Sequence, residues 1–264
     1  MRSPLDHLFA GDLAGWLAAA ALRADGLCLF LHVPKTAGTS LRTELAAMRQ
    51  PDANIGVDYA DDSLPFHERL DVAVERFLLG AGTERFASGH ITASHALQIR
   101  AARPGTRVIA MLRDPVARVT SDWLHQASPR HPGHLAFRAA VPTLESYLAL
   151  PDEANKMARH LLPAAMLTRP DPVACVAFLR ETYAFIGLQE RYDLGFRLLA
   201  RWLGRPRPPT LRENVNEAHA AAAAPDAALV ARILASNALD AAIHAAFAAA
   251  WDEAAPALEA ALAA

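Results

Sequence analysis

Short apolar runs alternate with amphipathic stretches along most of the chain, and this alternation predicts the fold class. Four runs have the length of strands: residues 26–33, 85–91, 106–114 and 183–189. The first, GLCLFLHV, is apolar at nearly every position, as expected for a strand buried on both faces of a sheet. Because a helical pattern follows each run, the chain is predicted to form an α/β fold, a parallel β-sheet flanked by helices on both faces.

The whole chain, residues 1–264, is predicted to form one domain, because its length suits a single α/β core. Helical spacing of apolar residues predicts helices over 5–24, 40–49, 94–102, 115–127, 143–169 and 190–204. The alanine-rich tail from Glu217 is predicted to be helical throughout. Irregular structure is predicted for an insertion from Pro51 to Pro65, a loop over 128–134 and an extended basic segment over 205–216.

The charge balance restricts the function classes. The formal net charge is -2 and the sequence pI is about 6.6, whereas a sequence-independent nucleic-acid binder carries a clear basic excess. Any anion site is therefore local. Of the 26 basic residues only Lys35 and Lys156 are lysines, so a lysine at 35 looks selected for its compact ammonium group.

The cysteines and the N-terminal residues bear on the compartment. Cys28 and Cys175 lie in apolar stretches without metal or redox spacing, which favours buried thiols in a reducing compartment. Asp6 and Asp12 interrupt the N-terminal apolar pattern, and the apolar run 13–22 is too short to span a bilayer. The sequence thus predicts a cytoplasmic protein without a transmembrane segment.

The stretch HVPKTAGTS, residues 32–40, has the composition of an anion-binding loop. It connects a predicted buried strand to a predicted helix, where free N–H groups of the helix N-terminus attract anions at the carboxyl edge of a parallel sheet. The residues predicted to hold the anion are Lys35, Thr36, Ala37, Gly38, Thr39 and Ser40. A Walker A loop reads GxxxxGK[ST], but here the lysine precedes the glycine, so an ordinary ATP or GTP loop is not matched.

A second candidate element follows the strand 106–114. Arg113 ends this strand, and Ser121 follows eight residues later, about two turns into the next helix. An arginine fork at the sheet edge and a hydroxyl on the adjacent helix can reach one phosphate, with Arg118 as a helper. The alternative is an arginine that pairs with Asp114 or caps the strand.

Both elements resemble those of a known enzyme family. HVPKTAGTS resembles the 5'-phosphosulfate-binding loop of sulfotransferases that use 3'-phosphoadenosine 5'-phosphosulfate (PAPS), most closely the carbohydrate type that includes heparan sulfate 2-O-sulfotransferase. VIAMLRDPVARVTSDW resembles the 3'-phosphate-binding element of that family, onto which Arg113 and Ser121 map. More distant similarities, in YAFIGLQERYDLGFRLL, NKMARHLL and SNALDAAIHAAF, follow in the family's order over most of the chain.

The resemblance implies a single sulfotransferase domain with a P-loop-like sheet. It implies PAPS as the donor, adenosine 3',5'-bisphosphate (PAP) as the product and no metal. The acceptor would be a hydroxyl of a saccharide, a glycolipid or another small molecule. Family members that act on glycans carry a membrane anchor and often disulfides. Because the sequence predicts neither feature here, a bacterial-type cytoplasmic enzyme is the better match.

His90 is the candidate general base. It follows a glycine at the end of the predicted strand 85–91, and histidine titrates near neutrality. A strand-end histidine also fits a structural role, but the Gly-His pair resembles the segment that supplies the base in 2-O-sulfotransferase-like enzymes. Lys35 is the candidate that stabilises charge on the leaving oxygen. His32 is expected to support the loop and His95 to lie on the next helix.

Further basic residues are candidates for donor or acceptor contacts. Arg212, and less directly Arg205 or Arg207, would meet a phosphate or an anionic acceptor, since segment 205–216 stands where related enzymes close over the nucleotide; a solvated linker is the alternative. Acceptor specificity is assigned to 51–83, 127–142 and 205–216. His125, His131 and His134 match no zinc pattern.

Two other functions remain open from the sequence. A nucleotide-dependent kinase shares the logic of a phosphate-binding loop, although the order of lysine and glycine and the Arg113–Ser121 pair disfavour it. A binding domain that kept the nucleotide site and lost catalysis also fits.

Overall fold

The computed structural model describes residues 2–57, 64–211 and 225–264 and contains one parallel sheet. Its strands are β1 (Cys28–Leu31), β2 (Asp52–Asn54), β3 (Phe86–Gly89), β4 (Arg107–Leu112) and β5 (Phe185–Leu188). They lie in the order β2-β3-β1-β4-β5, and every pairing is parallel. The predicted fold class is confirmed.

Helices precede, connect and follow the strands. The first half of the chain contributes α1 (Pro4–Phe9), α2 (Leu13–Ala19), α3 (Gly38–Met48), α4 (Phe66–Leu79), α5 (Ala93–Ala102) and α6 (Pro115–Gln126). The second half contributes α7 (His134–Ala140), α8 (Leu144–Leu148), α9 (Lys156–Leu161), α10 (Ala164–Leu167), α11 (Pro172–Thr182), α12 (Tyr192–Trp202), α13 (Ala227–Ser236) and α14 (Ala238–Ala263).

The central strands are buried on both faces. Every residue of β1, β3 and β5 is buried, which explains why β1 and β5 read as continuous apolar runs, whereas β3 includes the buried polar residue Ser88. In the register of the sheet, Leu31 lies beside Gly89 on one side and Ala110 on the other. The chain therefore leaves β1, β3 and β4 at the same edge, and the segments that begin at His32, His90 and Arg113 are neighbours.

Two predictions about the first half of the chain are wrong. The predicted helix 5–24 is two helices, because Asp12 accepts a hydrogen bond from the Gly15 N–H and so caps a second helix, α2. The predicted irregular insertion from Pro51 to Pro65 contains the edge strand β2. This strand has three residues and is not fully buried, so the sequence carries no apolar run to mark it.

The predicted helices after residue 126 are also more broken than the spacing indicates. The predicted loop over 128–134 is present, but the wider segment 127–142 includes α7. The predicted helix 143–169 is divided into α8, a 3₁₀ turn over Pro151–Glu153, α9 and α10, because Pro151 and Pro163 interrupt helical hydrogen bonding. The C-terminal tail is not one helix: the described part, 225–264, breaks between α13 and α14 at Asn237, where the axes differ by 95°.

The breaks at Asn155 and Asn237 form one joint. Asn155 Oδ1 accepts hydrogen bonds from the N–H groups of Leu239 and Asp240 at the start of α14, at 3.0 and 3.1 Å. In return, the buried carboxylate of Asp240 accepts from Met157 N–H at 3.0 Å and Ala158 N–H at 2.7 Å, at the start of α9. Each helix N-terminus is thus capped by a side chain from the other helix.

Asn155→Ala is expected to lower the free energy of unfolding by about 2–3 kcal/mol. The substitution leaves two backbone donors of α14 without an acceptor, and alanine tolerates the left-handed backbone at φ 49° less well than asparagine does. Asn155→Gly is the control that relieves the backbone term and should recover about 1 kcal/mol. Urea unfolding of the three proteins measures the difference, and equal stability of wild type and Asn155→Ala would show that the joint contributes nothing.

Within the described residues, no single helix is long and apolar enough to cross a membrane, and the bent pair α13–α14 meets that test only when both helices are taken together. Cys28 and Cys175 are both buried free thiols, as the sequence predicts.

Candidate active site

The predicted anion loop leaves β1 at the carboxyl edge of the sheet and enters α3. Lys35 and Ala37 have positive φ, 68° and 64°, which costs a non-glycine residue about 1–2 kcal/mol. Such left-handed residues are typical of loops in which successive N–H groups turn toward one side and form a concave anion site. The N-cap residue of α3 is Ala37, whose side chain has no hydrogen-bond acceptor. No side chain therefore caps the first turn at this position, and the helix N-terminus keeps its attraction for an anion.

Two residues of the loop make internal contacts that shape it. Gly38 is needed for packing: a Cβ at this position would lie 1.9 Å from Cδ2 of His32, so only glycine lets the His32 ring pack against the loop. Thr36 is fully buried and its hydroxyl donates to the Val33 carbonyl at 3.0 Å. The hydroxyl of Thr36 therefore holds the loop in shape, and its contact with an anion stays a prediction.

Arg113 joins the two predicted elements. Its Nη1 donates to the Lys35 carbonyl at 3.0 Å, so the residue that follows β4 contacts the loop that follows β1. Arg113 forms no ion pair with Asp114, which was the alternative interpretation. The Asp114 side chain instead caps α6 by accepting a hydrogen bond from the Ala117 N–H. Glu190 accepts from the backbone N–H of Asp114 at 2.6 Å, which fixes the chain directly after Arg113.

Lys35 lies among charges of both signs. Burial lowers the pKa of its ammonium group, and the cations Arg113 and Arg130 act in the same direction. The carboxylate of Asp122 opposes them and favours the ammonium form. Burial likewise lowers the pKa of Arg113. Two partly desolvated cations at one loop are what an anionic ligand requires.

His90 follows β3 and meets the loop from the other side. The residue before it, Gly89, has to be a glycine because a Cβ at this position would lie 2.3 Å from the Ile55 carbonyl oxygen. Nδ1 of His90 lies 2.7 Å from the carbonyl of His32, and since a carbonyl can only accept, Nδ1 carries the proton. The lone pair of neutral His90 is therefore on Nε2.

Three histidines lie together at this edge. The rings of His32 and His90 are 4.2 Å apart, and His160 on α9 donates through Nδ1 to the Ile91 carbonyl at 3.1 Å. Burial lowers the pKa of all three, that of His160 to about 4. His90 is thus held in the neutral form that a general base needs.

The histidines make stability depend on pH. The unfolded chain binds a proton at His160 below pH 6.5, whereas the folded chain does so only below about 4, so stability is lost as the pH falls through this window. The expected loss from His160 alone is roughly 3 kcal/mol. Urea unfolding between pH 7.5 and 4.5 measures it. His160→Asn keeps a donor for the Ile91 carbonyl and should reduce the loss, whereas His67→Asn, at an exposed site, should not; equal slopes in all three proteins would contradict the assignment.

Ser121 and Arg118 lie on α6 beside a buried charge cluster that the sequence did not reveal. Ser121 is 3 % exposed and Arg118 is fully buried. Arg118 pairs with Asp122 at 3.1 Å, so its predicted role as a helper at the phosphate is wrong. Asp122 also binds Lys156 Nζ at 2.8 Å. The sequence signals for this cluster were the rarity of lysine and the i,i+4 spacing of Arg118 and Asp122.

The segment 205–211 docks on α3. Glu44, 1 % exposed, accepts from the Arg207 guanidinium and from the N–H groups of Thr210 and Leu211 at 2.8 and 2.9 Å. Arg207 also lies over the Phe196 ring, 5.2 Å from its centroid, and is thus committed to internal contacts. Arg205 is exposed. Arg212 lies outside the described residues.

The other histidines do not join His90. His95 on α5 pairs through Nε2 with Asp71 at 2.7 Å. The rings of His125 and His131 are 5.9 Å apart, and His134 bonds to the His131 carbonyl. Over residues 2–57, 64–211 and 225–264, no group of histidine, cysteine or acidic residues is arranged to hold a metal ion.

Comparison with known proteins gives similarity in structure only. A mouse sulfotransferase, SULT7A1, crystallised with PAP, aligns with a TM-score of 0.42 and 12 % identity over 85 % of this chain and 69 % of its own. A sulfotransferase from Alicyclobacillus acidocaldarius aligns with a TM-score of 0.41 and 18 % identity over 82 % of this chain and 95 % of its own. No family model matches the chain, and no curated protein matches it in sequence.

Proposed function

We propose that residues 1–264 form a sulfotransferase domain that moves a sulfuryl group from PAPS to a hydroxyl of a saccharide or glycolipid. A cytoplasmic, bacterial-type enzyme is part of this proposal, as is the absence of a metal requirement. The resemblance of HVPKTAGTS and VIAMLRDPVARVTSDW to the carbohydrate-type family, with heparan sulfate 2-O-sulfotransferase as its example, supports the choice of acceptor class.

One contact carries the proposal: Arg113 Nη1 donates to the Lys35 carbonyl at 3.0 Å. This bond brings a charged fork and an anion loop together across the neighbouring strands β1 and β4. A ligand with a single phosphate needs one such element. A ligand with phosphates on both sides of a ribose needs two, held at a fixed separation.

The residues present fit such a donor by their chemistry. The strained loop and the α3 N-terminus offer N–H groups, and Lys35 and Arg113 offer desolvated positive charge. Residues 35–40 would hold the 5'-phosphosulfate, and Arg113 with Ser121 would hold the 3'-phosphate. Arg212 is retained as a further donor contact.

Two side chains have separate tasks in the transfer. His90 Nε2 takes the proton of the acceptor hydroxyl while that oxygen bonds to sulfur and the bond from sulfur to the 5'-phosphate oxygen breaks. Lys35 stabilises the negative charge that grows on the departing oxygen. Burial of both groups strengthens these interactions, because less water screens them.

A transfer assay tests the proposal. The protein is incubated with PAPS labelled in sulfur and a panel of neutral and anionic oligosaccharides and glycolipids, with ATP labelled in the γ-phosphate as the comparator. The expected result is label in an acceptor from PAPS and none from ATP. Label from ATP alone would favour a kinase, and PAP binding without any transfer would favour a binding domain.

A further inference from the structure

His32, the first residue after β1, binds the end of β3 through its backbone. Its N–H donates to the Gly89 carbonyl at 2.9 Å, and its carbonyl accepts from His90 Nδ1 at 2.7 Å. The anion loop and the candidate base are therefore joined where the loop begins. The proposed reaction gives the side chain of His32 no task.

The imidazole ring of His32 packs against the ring of His90. Their centroids are 4.2 Å apart, with 30° between the ring planes. The fully buried ring of Phe30 stacks with His32 at 5.3 Å, with 15° between the planes. Burial lowers the pKa of His32 well below its usual value, so the ring packs as a neutral group. Two ring neighbours leave the imidazole little freedom to rotate.

The same ring packs against the anion loop. A Cβ at residue 38 would lie 1.9 Å from Cδ2 and 2.0 Å from Nε2 of His32, distances at which atoms overlap. The backbone of Gly38 is not left-handed, so it is the ring and not the backbone conformation that requires glycine here. The His32 ring thus occupies the space that a side chain at the start of α3 would fill.

The separation between the loop and the base matters for a direct transfer. In the proposed reaction the acceptor oxygen must reach the sulfur held at the loop while its proton faces His90 Nε2. One distance, from loop to base, has to suit both contacts. A misplacement of about 1 Å can lower a rate about 100-fold.

We propose that His32 is a positioning residue: its ring is a spacer that contacts both the loop at Gly38 and the ring of His90 and so sets the distance between them. A displacement on one side is then passed to the other, because closely packed groups have little room to yield. The part that His32 plays in turnover rests on the proposed function, whereas its contacts with Gly38 and His90 do not.

NMR of the full chain with isotope-labelled histidine rings tests the spacer without turnover. Wild-type His90 should show a single tautomer with the proton on Nδ1, as its bond to the His32 carbonyl requires. His32→Ala removes the ring but keeps that carbonyl, and His90 should then show both tautomers. Gly38→Ala forces a Cβ against the ring and should also shift the His90 signals. Gly195→Ala on α12, where a Cβ would lie 3.5 Å from its nearest neighbour, is the matched control and should leave them unchanged.

Turnover gives the second measurement. His32→Ala and Gly38→Ala should each lower kcat about 100-fold, and His32→Phe, which keeps a flat ring, should recover most of this loss. In the double variant, Gly38→Ala should add no further loss to His32→Ala, because the new methyl group occupies the space that the ring has left. Two independent effects would instead multiply to about 10⁴-fold.

The outcomes separate the spacer from the proposed function. If His32→Ala does not fold, Gly38→Ala and His32→Phe are the test. His90 signals that are unchanged in either His32→Ala or Gly38→Ala would overturn the proposal, and so would an equal loss of kcat in His32→Ala and His32→Phe. The expected NMR shifts without any sulfuryl transfer would refute only the proposed function.

Discussion

His90→Asn is expected to lower kcat for sulfuryl transfer by about 10²- to 10⁴-fold, the usual contribution of a general base. Asparagine can still donate an N–H to the His32 carbonyl, as Nδ1 of His90 does at 2.7 Å, so the loop keeps its support. The variant lacks a group at the position of Nε2 that can accept a proton near neutral pH. The affinity for PAP should stay within about 2-fold of the wild-type value, because the residues proposed to bind the nucleotide are unchanged.

His95→Asn is the matched control for this substitution. His95 lies five residues later on α5, where it pairs with Asp71 and not with the loop. It should keep wild-type kcat. Steady-state kinetics with saturating PAPS and calorimetry with PAP measure the two quantities. A His90→Asn enzyme with wild-type kcat would show that another group removes the proton.

Arg113→Ala is expected to weaken PAP binding by about 10- to 100-fold, which corresponds to the loss of one or two charge-assisted hydrogen bonds. The side chain bonds to the Lys35 carbonyl in the structure, so its removal also frees the loop at one of its two positive-φ residues. Both effects act on the donor, and KM for PAPS should rise by more than kcat falls.

Arg107→Ala separates this effect from general loss of charge or stability. Arg107 lies at the other end of the same strand, β4, and donates to the Ala21 carbonyl. PAP affinity should be unchanged in Arg107→Ala. If Arg113→Ala and Arg107→Ala bind PAP equally well, Arg113 has no role at a phosphate.

Much of the fold could be predicted from the apolar runs. Strands β1, β3, β4 and β5 lie inside the predicted runs, because strands buried on both faces have almost no polar positions. The edge strand β2 was missed for the opposite reason: it is short and only partly buried. Helix lengths were overestimated where a cap such as Asp12, or a proline such as Pro151 or Pro163, interrupts the helical pattern.

The candidate site was predictable only in part. Lys35, His90 and Arg113 could be picked out as candidates because His90 and Arg113 directly follow β3 and β4 and Lys35 lies in the loop after β1, and parallel strands bring such residues to one edge. The part played by Thr36 and Gly38 within the loop depends on a carbonyl and a ring that only the folded chain brings near. Asp122 and Lys156 are 34 residues apart, on α6 and α9, and no spacing rule connects them.

The central claim is a site for a nucleotide with phosphates at both the 3' and the 5' position. Isothermal titration calorimetry of the wild-type chain with PAP, ADP and ATP tests it most directly. The account predicts that PAP binds at least about 10-fold more tightly than ADP, since the 3'-phosphate adds the charge-assisted bonds of Arg113. Binding of ATP or ADP as tight as that of PAP would contradict the account and leave a nucleotide-dependent kinase as the better assignment.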